Sequence, residues 1–170
     1  REERELTVMI AVDTSASTAT GTRCQTKEAL IARLGAILTL IALQNNDKVG
    51  LVTYSDRLES YQPPRKARSA TWRILHEVLS PRELRKATDL SGLFTFLNQV
   101  LKKRAIIFII SDFVDNGYET PLAVLAKKHD LTAILVKDPA DFVLPDSGLI
   151  SMVHPETREH MLIDTHCATV

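Results

Sequence analysis

The residues of this 170-residue chain that are best suited to chemistry lie in the pentapeptide Asp13-Thr14-Ser15-Ala16-Ser17. In an extended segment, side chains at alternate positions point the same way, so Asp13, Ser15 and Ser17 can direct three oxygens to one point. A hard cation such as Mg²⁺ takes about six oxygen ligands in an octahedron. Because hydroxyls are neutral, such a site keeps positive charge that can attract an outside carboxylate. The spacing Asp-x-Ser-x-Ser therefore favours a divalent-cation site.

Two other segments carry side-chain oxygens next to apolar runs. Ser111-Asp112-Phe113 directly follows one apolar run, and Ala87-Thr88-Asp89 stands just before another that begins at Leu90. Together with the pentapeptide they offer three aspartates and several hydroxyls. Whether these groups can act together depends on the elements that position them.

Each of these residues also has an ordinary structural explanation, which the sequence leaves open. A carboxylate or hydroxyl before a helix is a common N-cap, which would explain Asp13 and Thr88. Serines are frequent in turns, which would explain Ser15 and Ser17. Asp112 could be a loop carboxylate. Taken singly, none of these positions distinguishes a metal ligand from a cap or a turn residue.

Four short and nearly continuous apolar runs predict strands that are buried on both faces. They are residues 6–12, 49–54, 105–110 and 131–136. Helical signals occupy residues 26–43, 69–79, 90–101 and 119–129. This alternation predicts an α/β fold: a doubly wound, mostly parallel central sheet with helices on both faces. Since ligands bind at the carboxyl ends of the strands in such a sheet, the polar segments would meet at one edge.

Two smaller features extend this plan. Residues 57–61 indicate a short extra edge strand, before the interruption at Tyr61-Gln62-Pro63-Pro64. Residues 149–153 and 160–163 flank Pro155-Glu156-Thr157, and this pattern predicts a C-terminal β-hairpin. The sequence contains no internal repeat and no low-complexity tract.

Composition excludes several classes of function. The 21 basic residues balance the 21 acidic ones, which argues against a general nucleic-acid binder. The longest apolar run, residues 105–110, is far too short to span a bilayer, so we expect no membrane segment here. Cys24 and Cys167 form no CxxC pair, which favours a reducing compartment, and with no signal segment we expect a cytoplasmic location. Because the chain begins at Arg1, we expect it to be a piece of a longer protein.

Together these residues resemble a known family. Asp13, Ser15 and Ser17, followed by a distant Thr88 and a distant Asp112, match the metal-ion-dependent adhesion site (MIDAS) of von Willebrand factor A-type (vWA) domains. Within that superfamily, the chain is most similar to the bacterial DUF58 proteins. The phrases that carry the likeness are TVMIAVDTSAS, Ala87-Thr88-Asp89-Leu90, Ile110-Ser111-Asp112-Phe113, LPDSGLI and His154-Pro155-Glu156-Thr157.

The resemblance implies a function as well as a fold. Residues 1–170 would form a single vWA-like domain, a fragment of a longer DUF58 protein. Mg²⁺, or Mn²⁺ or Ca²⁺ in its place, would be held by Asp13, Ser15, Ser17, Thr88 and Asp112, and an acidic residue of a protein partner would bind the ion. The domain would be non-enzymatic. Because genes of this family commonly lie beside those for MoxR-type AAA+ ATPases, such an ATPase would be a partner in complex assembly or chaperoning.

An enzymatic alternative stays open from the residues. An aspartate at the end of the first strand of a doubly wound sheet can be a nucleophile, which would make Asp13 the centre of a phosphotransfer or phosphatase activity. The usual phosphatase pattern has a second aspartate two residues later, where this chain has Ser15. A receiver domain, which also uses an aspartate at the end of its first strand, needs a lysine after a late strand. Lys137 directly follows the predicted strand 131–136, so this second version of the enzymatic alternative stays open. The sequence lacks the motifs G-x-x-x-x-G-K-[ST], G-x-G-x-x-G and G-x-S-x-G, which makes nucleotide-binding and serine-hydrolase folds poor candidates.

Overall fold

Five strands form the central sheet in a computed structural model that describes residues 6–19, 26–66, 68–80, 87–141, 148–153 and 159–164. The strands are β1 (Thr7–Asp13), β2 (Lys48–Tyr54), β3 (Leu58–Arg65), β4 (Ile106–Ser111) and β5 (Asp130–Leu135). Their order across the sheet is β3-β2-β1-β4-β5. Only β3 runs antiparallel to its neighbour, so the sheet is mostly parallel as predicted, with β1 at its centre.

Helices cover both faces of this sheet. In the described part of the chain they are α1 (Lys27–Gln44), α2 (Arg68–Leu79), α3 (Leu90–Val100) and α4 (Glu119–Lys128). Alternate residues of β1 face opposite sides. Met9 and Ala11 belong to a cluster built with α3 and α4, whereas Ile10 and Val12 pack with α1 and α2. The predicted doubly wound α/β fold is confirmed.

α1 is held close to the sheet by a small residue in its middle. A Cβ added at Gly35 would lie 3.2 Å from Val78 of α2 and 3.3 Å from Val12 of β1, so only glycine allows this approach without a shift. The helix begins at a cap, because the hydroxyl of Thr26 accepts a hydrogen bond from the backbone N–H of Ala29. This placement directs the first residue of α1, Lys27, toward the loops that follow the central strands.

The edge strand predicted over residues 57–61 is present but longer, since β3 continues to Arg65. Its two prolines are tolerated because an edge strand does not need every N–H in a ladder. The pairing with β2 is irregular around Gly50. A Cβ there would lie 2.8 Å from the carbonyl oxygen of Gln62, so the two backbones approach too closely for any other residue.

Two further strands, β6 (Leu149–Val153) and β7 (His160–Asp164), pair antiparallel as a separate two-stranded sheet. This is the strand pairing expected of the C-terminal hairpin. The predicted turn at Pro155-Glu156-Thr157 lies outside the described residues. Neither Cys24 nor Cys167 is described.

No helix in the described ranges has the length and apolar character needed to cross a membrane. The extent of the single domain over residues 1–170 and the cytoplasmic location stay predictions.

Candidate metal-binding site

Asp13 ends the central strand and is almost completely buried, with 1% of its surface exposed. One carboxylate oxygen, Oδ1, accepts a hydrogen bond from the backbone N–H of Ser15 at 2.8 Å. The other, Oδ2, accepts from the hydroxyl of Ser111 at 2.5 Å. Both oxygens are therefore oriented, one by the following loop and one by the neighbouring strand β4.

The loop after Asp13 brings the two predicted serine ligands together. The hydroxyl oxygens of Ser15 and Ser17 lie 2.9 Å apart and are buried. Thr14 holds the start of the loop, because its N–H and its hydroxyl both donate to the carbonyl oxygen of Tyr54 at the end of β2. The hydroxyl of Thr18 donates to the carbonyl of Ser15 at 2.7 Å and closes a short 3₁₀ helix. The two serine hydroxyls therefore meet, although Ser17 lies in this 3₁₀ helix and not in the extended segment that the spacing predicts.

Thr88 is held near the same sheet edge by its neighbours in sequence. The N–H of Asp89 donates to the carbonyl of Ser55, just after β2, and the N–H of Leu90 donates to Asp115, just after β4. The hydroxyl oxygen of Thr88 is buried and has no hydrogen-bond partner among the described residues. A buried hydroxyl without a partner is costly, so this atom is available to a ligand.

The alternative explanation of Thr88 as a helix cap is wrong. The N-cap of α3 is Asp89, whose Oδ1 accepts from the N–H of Gly92 at 2.7 Å. The sequence contains two adjacent residues that are both good caps, and the backbone conformation at position 89 decides between them. Because Asp89 caps α3, the hydroxyl of Thr88 does not serve as the helix cap.

Asp112 is also buried, with 5% of its surface exposed, but its strongest contact is with a lysine. The ammonium Nζ of Lys27 lies 3.1 Å from Asp112 Oδ2 and 3.2 Å from Asp141 Oδ2. Sequence reasoning missed both Lys27 and Asp141. The one available signal was a lysine at the first position of a helix with apolar residues on most of its faces, since a buried lysine needs an anionic partner.

Ser111 is not one of the predicted ligands, yet it organises the site. Its hydroxyl donates to Asp13 and accepts a hydrogen bond from the N–H of Phe113 at 2.9 Å. Phe113 has φ 55°, in the left-handed region that is uncommon for residues other than glycine. The N–H of Phe113 thus turns back to the side chain of Ser111 at the end of β4.

Burial changes the electrostatics of the strand ends. It raises the pKa of Asp13 from 3.8 to about 6, although the hydrogen bonds from Ser111 and Ser15 lower it; the charge of Asp112 raises it slightly more. Burial and the charge of Asp13 also raise the pKa of Tyr54 well above 10.0. The site therefore places a carboxylate where its charge is costly unless a cation is close.

The donor set fits a hard divalent cation. It combines the carboxylates of Asp13 and Asp112 with the hydroxyls of Ser15, Ser17 and Thr88, and oxygen donors of these kinds suit Mg²⁺, Mn²⁺ or Ca²⁺. Over the described ranges, no group of three or more His, Cys, Asp or Glu side chains is placed to hold a metal ion. Metal binding by the five residues stays a prediction.

A doubly wound sheet with this serine-rich loop at the end of its central strand defines a vWA-like α/β domain. The family described as "Protein of unknown function DUF58" matches residues 1–170, and the chain belongs to it. The predicted family membership is confirmed.

Curated relatives of the chain include mycobacterial proteins that are themselves uncharacterized. One, from Mycobacterium tuberculosis, is 28% identical over 158 residues, which cover 91% of this chain and 50% of that protein. Another, from Mycobacterium avium, is 36% identical over 70 residues, 41% of each chain. The chain thus spans about half the length of the first of these relatives.

Solved structures similar to this one support the fold. An aerotolerance-related membrane protein from Bacteroides fragilis superposes with a TM-score of 0.66 at 19% identity, covering 94% of this chain and 82% of that one. The hypothetical protein BatB from Bacteroides thetaiotaomicron gives 0.63 at 18% identity, with 94% and 80% covered. The VWA domain of SpRpn10 gives 0.50 at 12% identity, with 80% and 89% covered. At these identities the likeness concerns the fold alone.

Proposed function

We propose that this chain is a non-enzymatic, metal-dependent protein-binding module. Asp13, Ser15, Ser17, Thr88 and Asp112 hold Mg²⁺, or Mn²⁺ or Ca²⁺ in its place, in a MIDAS-type site. A carboxylate from a protein partner completes the coordination. Metal-dependent docking of an acidic partner is the function that this arrangement serves.

The observation that carries the proposal is the buried, unpartnered hydroxyl of Thr88 on the sheet edge where Asp13 is buried. An unpaired buried hydroxyl and a buried carboxylate are both unfavourable on their own. A single cation bound to both oxygens would relieve both penalties. The paired hydroxyls of Ser15 and Ser17 would supply two further ligands by turning toward the same ion.

Charge around the site favours an acidic partner. Three of the five donors are neutral hydroxyls, and Asp112 is already paired with Lys27, so a divalent ion would keep positive charge. Arg57 lines a small cavity of about 130 Å³ together with Tyr54 and Asp89, next to the strand ends. Asp89 offsets the charge of Arg57 in this cavity, so the positive charge that attracts an acidic partner comes from the ion itself.

The identity of the partner rests on the family resemblance. Genes for proteins of this family commonly lie beside those for MoxR-type AAA+ ATPases, which suggests a partnership in complex assembly or chaperoning. We therefore take such an ATPase as the first partner to test. In such a complex, an acidic residue of the ATPase would bind the metal ion that this chain holds.

The test is binding of the purified MoxR-type ATPase from the same organism, measured by biolayer interferometry with Mg²⁺ or with a chelator. Binding should require Mg²⁺ and should be lost in Asp13→Asn. Asp130→Asn is the matched control, because Asp130 begins β5 at the opposite edge of the sheet and is paired with exposed Arg104. Equal binding with and without chelator would contradict the proposal.

The enzymatic alternative is tested on the same variants. Phosphatase activity would be assayed with a small aryl phosphate, and the thermal response to Mg²⁺ would be measured in parallel. Turnover that is abolished by Asp13→Asn, with no metal-dependent stabilisation in the wild type, would favour the phosphatase hypothesis. We expect no turnover above that of Asp13→Asn.

A further inference from the structure

Lys27 is a buried cation within the candidate metal site. Only 6% of its side chain is exposed, and its ammonium contacts two carboxylates from distant parts of the chain. Asp112 follows β4, whereas Asp141 lies in the short 3₁₀ helix Pro139–Asp141 that follows β5. Since lysine is almost never fully buried unless it is paired, these two anions determine where the ammonium sits.

The two anionic partners of Lys27 differ in environment. The side chain of Asp112 is 2% exposed and that of Asp141 is 33% exposed. Asp141 is fixed beside Lys27 because its Oδ2 also accepts a hydrogen bond from the backbone N–H of Asp138 at 2.9 Å. The ammonium therefore has one anion inside the set of five predicted ligands and one outside it.

We propose that Lys27 sets the affinity of the site for divalent cations by competing with the cation for Asp112. This inference rests on the proposed function, since it concerns the same site. Two cations that share one buried carboxylate repel each other strongly at low dielectric. Lys27 contacts Oδ2 of Asp112, so a divalent ion bound to this carboxylate would lie close to the ammonium and would push it toward Asp141.

Because of this competition, the site has two states that differ in which cation contacts Asp112. In the first state Lys27 neutralises Asp112, so the buried carboxylate keeps a counter-ion when no divalent cation is bound. In the second state the divalent cation takes Asp112, and Asp141 alone holds the ammonium. Because coupling between two contacts is reciprocal, cation binding strengthens the hold of Lys27 on the segment Pro139–Asp141.

The first experiment measures Mn²⁺ binding to chelator-treated protein by electron paramagnetic resonance and calorimetry. Lys27→Gln removes the competing charge, and it should bind Mn²⁺ about tenfold more tightly than the wild type, as expected for loss of one nearby like charge. Its melting temperature without metal should fall, because Asp112 loses its counter-ion. Lys103→Gln is the matched control, since Lys103 is exposed and precedes β4 at the opposite sheet edge. It should leave Mn²⁺ affinity unchanged.

The second experiment substitutes Asp141. Its side chain is more exposed than that of Asp112, so the substitution should destabilise the fold less. Asp141→Asn removes the alternative anion and should weaken Mn²⁺ binding, because Lys27 then holds Asp112 more tightly. The loss of a negative charge near the site would weaken binding a little by itself. The double variant Lys27→Gln/Asp141→Asn separates the two effects: most of the loss caused by Asp141→Asn should disappear when Lys27 is absent.

Two results would overturn the inference while leaving the proposed function intact. One is an Mn²⁺ affinity of Lys27→Gln that equals the wild-type value, with binding still lost in Asp13→Asn. The other is an equal effect of Asp141→Asn in the presence and absence of Lys27. A failure of the proposed function looks different, since neither the wild type nor Lys27→Gln would bind Mn²⁺ through Asp13.

Discussion

The hydroxyl of Ser111 donates a 2.5 Å hydrogen bond to Oδ2 of Asp13, and this bond joins side chains that are 98 positions apart in the sequence. The sheet makes the contact possible, since β1 and β4 are parallel neighbours and their ends lie side by side. With Oδ2 held by Ser111, Oδ1 points toward the N–H of Ser15. The orientation of the central carboxylate is thus fixed before any ligand binds.

Ser111→Ala should therefore loosen the site as well as the fold. The change removes one hydrogen bond to Asp13 and one from the N–H of Phe113, and we expect a loss of about 1–3 kcal/mol in the free energy of unfolding. Urea denaturation with the metal removed measures it. The same substitution in an Asp13→Asn background should cost less, because the charged acceptor is gone. An identical cost in both backgrounds would show that the two residues are not coupled.

Mg²⁺ or Mn²⁺ should raise the melting temperature of the wild type. A ligand that binds only the native state stabilises it by mass action, by about 2.7 kcal/mol at a concentration of 100 Kd. Ser15→Ala combined with Ser17→Ala should remove most of this shift in a thermal scan. Ser69→Ala, at an exposed position of α2, should keep the full shift. A metal response that survives the double substitution would count against these two ligands.

Substitutions at the adjacent residues Thr88 and Asp89 should have different effects on Mn²⁺ affinity and on stability. Thr88→Val should lower Mn²⁺ affinity without lowering metal-free stability, because it replaces an unpartnered buried hydroxyl with an apolar isostere. Thr88→Ser, which keeps the hydroxyl, should retain binding. Asp89→Ala should instead cost about 1 kcal/mol of stability, as removal of an N-cap does. Unchanged Mn²⁺ affinity in Thr88→Val would remove this residue from the ligand set.

The pH dependence of metal-free stability should carry the signature of Asp13. Burial raises its pKa from 3.8 to about 6, so the folded state binds this proton more tightly than the unfolded state does. The resulting stability is present at low pH and is lost as the pH rises through the folded pKa. As the pH rises from the ordinary pKa of 3.8 to the folded pKa of about 6, the free energy of unfolding should fall by about 3 kcal/mol. Denaturation curves of wild type and Asp13→Asn between pH 4 and pH 7 give the difference, which should vanish if Asp13 titrates normally.

Much of the fold follows from local patterns in the sequence. The run from Val8 to Val12 is apolar at successive positions because both faces of β1 are covered, and this continuous pattern separates a central parallel strand from an amphipathic edge strand. The position of Asp13 directly after that run also predicts at which end of the strands the candidate site lies. The length of β3 was less predictable, because an edge strand can absorb prolines that would end a central one.

Local sequence patterns are enough to predict the order of strands and helices and the spacing of Asp13, Ser15 and Ser17, because these depend on neighbouring residues. Which distant side chains contact each other depends on how these elements pack. Lys27 contacts Asp112 and Asp141 across 85 and 114 positions, and no periodicity predicts such a pairing. Packing brings these three residues together, and the buried ammonium is stable there because both carboxylates pair with it. The choice of Asp89 over Thr88 as the helix cap, which leaves the hydroxyl of Thr88 unpaired, was likewise set by backbone geometry in the fold.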